Sequence, residues 1–339
     1  MHKRTVVLLL LACAATPSAA LADGTPPPPT TPTPPPPTPP PAVAPPPAVK
    51  ISLQLSKLLR SGTSELALTG QSVSVHGTIS PYVAGEQVTV RAQRGHKKLL
   101  VRSMAVHPVA GTTDGQFNFR VKSAKAGRLA VRASHKATAN LGTGIAKTVH
   151  VRVLRPQASF GSRGPVVDLV QAGLSRLHYA ISRSGRYDDS TARAVLAYRK
   201  VNRMARVMTL DRQILLRLIR GVGTFKPRYP SQGRHVEADL SRQVLVELNG
   251  ATPYRIYHMS SGKPSTPTVL GTFHVYSKTP GVNAKSMFDS NYFIGGYAIH
   301  GYPEVPPYAA SHGCLRIPNS DAPSVFAWVK FGTTVDVYR

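Results

Sequence analysis

Between Ile51 and Arg155 apolar and polar residues alternate with a period of two. Ser72–Gly77, Gln87–Arg91, Gln116–Val121 and Thr148–Val153 each put valine or phenylalanine on one face and polar side chains on the other. Gly and Pro punctuate the series at Pro81, Gly85, Gly95, Pro108, Gly115 and Gly127. Short alternating runs at near-regular spacing predict an antiparallel β-sandwich of about 100 residues. The period then lengthens. Val166, Val167, Leu169, Val170, Leu174 and Leu177 fall on one helical face. Ala194, Val195 and Tyr198 make a second stripe, and Leu210, Ile214, Leu215 and Leu218 a third. Asp188, Asp189 or Ser190 caps the second helix and Gly221 ends the third. Strands return with His235–Leu240 and Gln243–Leu248, a hairpin about Ser241-Arg242, followed by the turn pair Asn249-Gly250 and a strand from Tyr254 to His258. Gly271–Ser277 continues the series, Asp321 with Pro323 opens a short helix through Val329, and Thr334–Tyr338 closes as a strand.

The expected fold is multidomain and mostly β. A β-sandwich spans 50–156, a small three-helix bundle 157–222, and a mixed β-rich domain with one or two helices 223–339. In its pattern alone the first resembles the immunoglobulin-like modules of bacterial secreted proteins, without their Cys and Trp hallmarks. Phe160–Val167 and Tyr187–Val195 resemble the peptidoglycan-binding three-helix domain. This chain departs from it at Tyr198-Arg199-Lys200, where that family often carries an aromatic-Gln pair.

Before these lie two segments with no core-forming pattern. His2-Lys3-Arg4, the apolar run Val6–Ala15 and Ala20-Leu21-Ala22 form the charged, apolar and cleavable parts of a secretory signal peptide at 1–22. The run is too short for a membrane span, which needs about 20 apolar residues. A lipoprotein alternative would use Cys13. Residues 23–49 are almost wholly Pro, Thr, Ala and Val, an extended tether. The mature chain is therefore expected to be exported, to a periplasm or cell wall, with no stable membrane span.

Charge narrows the partner. The 339 residues hold 42 Lys+Arg against 15 Asp+Glu, a net +27. Most of the excess lies outside the last domain: residues 50–156 carry 17 basic and 3 acidic side chains, 157–222 carry 12 and 4, and 223–339 carry 11 and 7. An exported chain with no zinc-finger, RNP or helix-turn-helix signature is not expected to meet nucleic acid. The distribution points to an anionic cell-wall polymer held by the basic accessory modules.

Two cysteines exclude a disulfide scaffold, and loss of Cys13 with the leader would leave one thiol, Cys314. It stands in Ser311-His312-Gly313-Cys314-Leu315-Arg316, with His300-Gly301 fourteen residues ahead. Three readings are open on residue types alone: an inert buried thiol, a zinc site of Cys314, His300 and His312 lacking a clear fourth ligand, and a Cys/His acyl-transfer site in which an imidazole activates the thiol.

This string resembles the signature of the L,D-transpeptidase catalytic domain family. Asp239–Leu245, Ser260–Thr268 and Gly271-Thr272-Phe273 agree with it in order, from about His235 onward. The resemblance implies that Cys314 is the nucleophile and His300 the general base and acid. His312, Gly313 and Cys314 would contribute backbone amides to the oxyanion hole, and Arg316 would hold the loop or orient a substrate carboxylate. Ser311, Tyr292 and Tyr297 are expected on the substrate side. Peptidoglycan stem peptides are the implied substrate, D-Ala leaves, and an acceptor amine takes the acyl group in a 3→3 cross-link. No cofactor and no metal are implied. The alternatives are an L,D-carboxypeptidase, with water as acceptor, and a non-catalytic wall-binding protein.

Overall fold

A computed structural model describes residues 44–339. The expected leader, Cys13 and most of the 23–49 tether lie outside the described residues. Eleven strands come first: β1 (Lys50–Ser56), β2 (Leu59–Ser61), β3 (Ser64–Leu68), β4 (Ser72–Ser80), β5 (Gln87–Arg94), β6 (Lys97–Ala105), β7 (His107–Pro108), β8 (Gly115–Lys122), β9 (Gly127–His135), β10 (Gly144–Ile145) and β11 (Val149–Leu154). They form two sheets, β1-β4-β8-β7 and β2-β3-β11-β9-β5-β6, with β10 paired to β9. The inward half of each alternation, including Val75, Val88, Val90, Phe117, Leu129 and Val131, fills one core between them. One pairing departs from the expected antiparallel pattern: β3 and β11 run parallel.

Three helices follow: α1 (Pro165–Arg176), α2 (Asp189–Val201) and α3 (Arg212–Ile219). The Asp188 carboxylate accepts the Thr191 amide proton and Asp211 accepts that of Ile214, so each N-terminus has a donor satisfied. The helices do not close a core of their own. Val170, Leu174, Val195, Ile214 and Leu218 pack in one cluster with Leu66 and Leu68 of β3 and with Val244, Val246, Leu248 and Ile256 of the last segment.

That last segment contains β12 (Arg234–Asp239), β13 (Val244–Asn249), β14 (Thr252–His258), β15 (Gly271–His274), β16 (Ser277–Val282), β17 (Phe288–Ile294), β18 (Tyr297–Tyr302), β19 (Leu315–Pro318), one helix α4 (Ala322–Trp328) and β20 (Thr334–Tyr338). β12 and β13 form the hairpin read from the sequence, with Asp239 opposite Val244. The first sheet, β14-β13-β12-β20-β15, is mixed, since β12 and β20 run parallel. Its central strands β13, β12 and β20 are buried on both faces. In β13, Val244 and Val246 meet the helices while Leu245 meets the second core, which explains a near-continuous apolar run in place of alternation. The second sheet, β16-β17-β18-β19, closes over that core with α4. Among the described residues no helix is long and apolar enough to cross a membrane.

Candidate active site

β18 and β19 are parallel neighbours, with Ile299 opposite Leu315 and His300 opposite Arg316. Parallel pairing needs a crossover of about a dozen residues, and residues 303–314 supply it. Ile299, Leu315 and Ile317 turn into the core. Alternation therefore puts His300 and Arg316 on the opposite face, and Cys314, one residue before β19, on that same face. The fourteen-residue gap in sequence becomes a diagonal pair on adjacent strands.

His300 is 1 % exposed, and its Nδ1 lies 2.8 Å from the Gly301 carbonyl oxygen. A carbonyl only accepts, so Nδ1 carries the proton and the neutral ring keeps its lone pair on Nε2. Burial, joined by the charge of Arg316, pushes the imidazole pKa down to about 4, against the Gly301 bond. The ring is therefore neutral through ordinary pH and able to accept a proton. Burial pushes the Cys314 thiol up, opposed by a backbone contact with Ala298 and by the charges of Arg316 and Lys285. The Sγ lies 3.7 Å from the Gly296 carbonyl oxygen, to which the thiol donates. The resting pair is thus a neutral thiol beside a neutral imidazole.

The loop carrying the thiol is fixed from behind. Ser311 is fully buried, its hydroxyl donating to the Cys314 carbonyl at 2.6 Å and accepting the Gly313 amide at 3.1 Å. Its own amide donates to the Ser261 carbonyl, and its carbonyl accepts from the Lys263 amide and the Thr266 hydroxyl. Gln243 grips Ser261 twice, through the Ser261 amide and hydroxyl. Two blocks that carried the resemblance, Asp239–Leu245 and Ser260–Thr268, therefore include the cradle of the nucleophile loop. Ser311 was expected on the substrate side; here its side chain is buried and its hydroxyl proton goes to the loop's own Cys314 carbonyl. The Gly313 amide, expected in the oxyanion hole, is likewise taken, while the His312 and Cys314 amides make no hydrogen bond among the described residues.

Gly313 has φ +119°, and a Cβ there would fall 1.9 Å from the Tyr297 ring, so no other residue fits. Tyr297 thus props the loop with a half-buried ring. Tyr292, also half-buried, accepts from the Asn283 side-chain amide at 3.1 Å. The His312 side chain is exposed, 3.4 Å from the Lys263 ammonium. The Arg316 guanidinium lies 3.8 Å above the Tyr302 ring, and Tyr302 stands edge-on to His300 at 5.9 Å between centroids. Sequence reasoning missed Tyr302, although its place two residues after His300 on a strand puts it on the same face. The zinc alternative requires Cys314, His300 and His312 to converge. Among the described residues no group of three or more His, Cys, Asp or Glu side chains does so.

Residues 233–337 match the model of the L,D-transpeptidase catalytic domain. The chain is similar to the L,D-transpeptidase of Xylanimonas cellulosilytica in crystal form, with 32% identity over 54% of this chain and 97% of that one, TM-score 0.51. It is also similar to an L,D-transpeptidase from Stackebrandtia nassauensis, with 19% identity over 54% of this chain and 95% of that one, TM-score 0.35. The ertapenem-acylated catalytic domain of the Enterococcus faecium L,D-transpeptidase gives 26% identity over 32% and 98%, TM-score 0.28. No curated protein matches.

Proposed function

The chain belongs to the L,D-transpeptidase family, and from that premise we propose that it is an exported enzyme that cross-links peptidoglycan through Cys314. The thiol proton passes to His300 Nε2 as the sulfur attacks the carbonyl between the third stem residue and D-Ala. The His312 and Cys314 amides stabilise the tetrahedral oxyanion. The C–N bond breaks, His300 returns its proton to the departing D-Ala amine, and a thioester remains. An amine of a neighbouring stem then attacks the thioester, His300 takes its proton, the C–S bond breaks, and the thiol is restored with a 3→3 link formed. Arg316, stacked on Tyr302, keeps the far wall of the pair in place. Tyr297, whose ring lies against Gly313, and the half-buried Tyr292 border the donor stem.

The observation that carries this reading is the Nδ1 bond of His300 to Gly301, which leaves Nε2 as the base on the face Cys314 shares. The test is mass spectrometry of products from purified wall incubated with the enzyme and a labelled acceptor amine, with Cys314→Ala as control. Labelled dimer dependent on Cys314 is the expected result. Tetrapeptide without dimer would replace transfer by hydrolysis, and no product at all would leave a wall-binding protein.

The sandwich, immunoglobulin-like in this reading, and the peptidoglycan-binding-like helices bring the enzyme to its substrate. On the exposed face of the larger sheet Arg91 stands directly opposite Arg132, and Arg128 opposite Arg152. The three carboxylates of the sandwich lie elsewhere: Glu65 with Arg60, Glu86 buried against His135, Asp114 in the turn before β8. Like charges placed opposite one another cost stability, and a face that keeps them suits an anionic polymer. Tyr198, Arg199 and Lys200, where the related family varies, are all buried, so wall contact by the helices falls on other residues.

A further inference from the structure

A second concentration of positive charge lies away from the thiol, where the chain leaving α2 meets the β12–β13 turn. Lys200, Arg203, Met204, Arg206, Ser241 and Arg242 enclose a cavity of about 330 Å³. No carboxylate is among the residues lining it, and Asp239, the acid paired with Arg242, is already engaged by the Ser241 hydroxyl and by the amide and guanidinium of Arg242. Lys200 is 2 % exposed, and its ammonium donates to the carbonyls of Gln243 (3.0 Å) and Met259 (2.9 Å) and to His258 Nδ1 (2.7 Å). His258 Nε2 donates to the Val305 carbonyl at 2.7 Å, so Nδ1 is the acceptor. Burial, joined by the charge of Arg206, pushes the Lys200 pKa down to about 6, yet three donated bonds to neutral acceptors use all three protons of the charged amine, and an anion beside it would favour that form. Arg206 likewise donates only to carbonyls, Pro307 at 2.9 Å and Ser241 at 2.8 Å. The Nε of Arg242 is buried without a partner, and the Arg203 side chain makes no hydrogen bond among the described residues.

Buried or clustered charge is normally met by an opposite charge. We propose that this cleft binds a phosphate group, free or as an ester. Guanidinium forks match phosphate oxygens, and three of them border the space. A liquid water occupies about 30 Å³, so the cleft has room for a phosphate together with an ester substituent. The consequence reaches the thiol. Arg206 holds Pro307, and Lys200 holds Val305 through His258. Both anchor points lie in the crossover from His300 to Ser311. An anion that settles the cations also settles the segment leading to the nucleophile. The site does not depend on whether the acyl group goes to an amine or to water.

The test uses the full chain and inorganic phosphate, with ionic strength held constant by chloride, and follows binding by calorimetry. A saturable isotherm is expected. Arg203→Gln, an exposed substitution that breaks no internal bond, weakens it about tenfold or more. The Arg91→Gln/Arg132→Gln double variant leaves it unchanged. A response no larger than the chloride control, or one lost in the sandwich variant and kept in Arg203→Gln, overturns the proposal. Competition by a poly(glycerol phosphate) fragment that displaces inorganic phosphate assigns the site to the ester, and failure to compete assigns it to the free ion. Binding is read without catalysis, so an inactive enzyme that still binds phosphate would fault the proposed reaction and leave the cleft standing. Phosphate should also change the rate at which a carbapenem acylates Cys314; saturation without a rate change refutes the link to the loop.

Discussion

The face bearing Cys314 and the arginine face of the sandwich both display polar side chains on β-sheet, and they are built on opposite terms. On the first, His300 is almost fully buried, its tautomer is set by one carbonyl, and the loop beside it is tied by Ser311, Gln243 and the Ser260–Thr268 segment. On the second, Arg91, Arg128, Arg132 and Arg152 are exposed, and among the described residues only Arg91 of these has a side-chain hydrogen-bond partner, the Ser134 hydroxyl. Bond-making needs a proton acceptor held at one place with a defined pKa, so it needs burial and many fixed contacts. Attraction needs only net charge in water, so it tolerates loose side chains and a small repulsive cost. The two faces should therefore respond to substitution on different scales.

The largest effects belong to the buried face. Cys314→Ala should abolish carbapenem adduct formation, read by intact-protein mass, with little change in melting temperature. Any adduct remaining would place the nucleophile elsewhere. Gly313→Ala should come next, because the new methyl must displace the Tyr297 ring while the backbone stays at a φ that alanine resists. An acylation rate within threefold of the wild type would show that the loop relocates easily.

His300→Gln should slow acylation by about 10²–10⁴-fold, the usual share of a positioned base. The wild-type pH profile sharpens the point. Below about pH 4 His300 is protonated and cannot accept, so the rate should rise as pH passes upward through about 4 and then hold. An acid limb near the ordinary imidazole value of about 6.5 would mean that the base is solvated and that burial does not set it. The exposed His312, replaced by alanine, should leave both rate and profile nearly intact.

What the sequence disclosed divides along the same line. Alternation revealed the sandwich strands because one face of each meets water, and capping residues such as Asp188 marked the helices. The Cys314 string and His300 were legible as chemistry. Their meeting was not, because it rests on parallel pairing of β18 with β19, a register no local pattern records. The same holds for β12 with β20, nearly a hundred residues apart. The helical stripes read as a small three-helix bundle, and a stripe shows that a face is buried without showing against what; here the partners include β3, β13 and β14. Ser311 could not be placed from the sequence either: a serine beside a nucleophile suggests substrate contact, and only the fold shows its hydroxyl closing the loop from beneath.

Ser311→Ala separates the loop role from the substrate-side one at a middle scale. It removes a hydroxyl that bonds both the Gly313 amide and the Cys314 carbonyl, and it leaves both of those groups less satisfied. A loss of about 1–2 kcal/mol in loop order corresponds to a fall in acylation rate of roughly tenfold. The substrate concentration giving half-maximal rate should not move. A shift in that concentration with the rate unchanged would return Ser311 to the substrate side.

The smallest effects belong to the arginine face. Exposed charges are worth about 0.2–1 kcal/mol each, so Arg91→Gln/Arg132→Gln should weaken binding to purified wall only a few-fold at low salt. The difference should vanish as salt shortens the screening length from about 10 Å at 0.1 M toward 3 Å at 1 M. Acylation of Cys314 should be untouched. Stability should hold or rise by a few tenths of a kcal/mol, because two like charges directly opposite on neighbouring strands no longer repel. That sign is the sharper half of the test. A fall in melting temperature would mean that Arg91 and Arg132 hold the sheet together, through contacts such as that of Arg91 with Ser134, and that their pairing reflects structure with no polymer to meet.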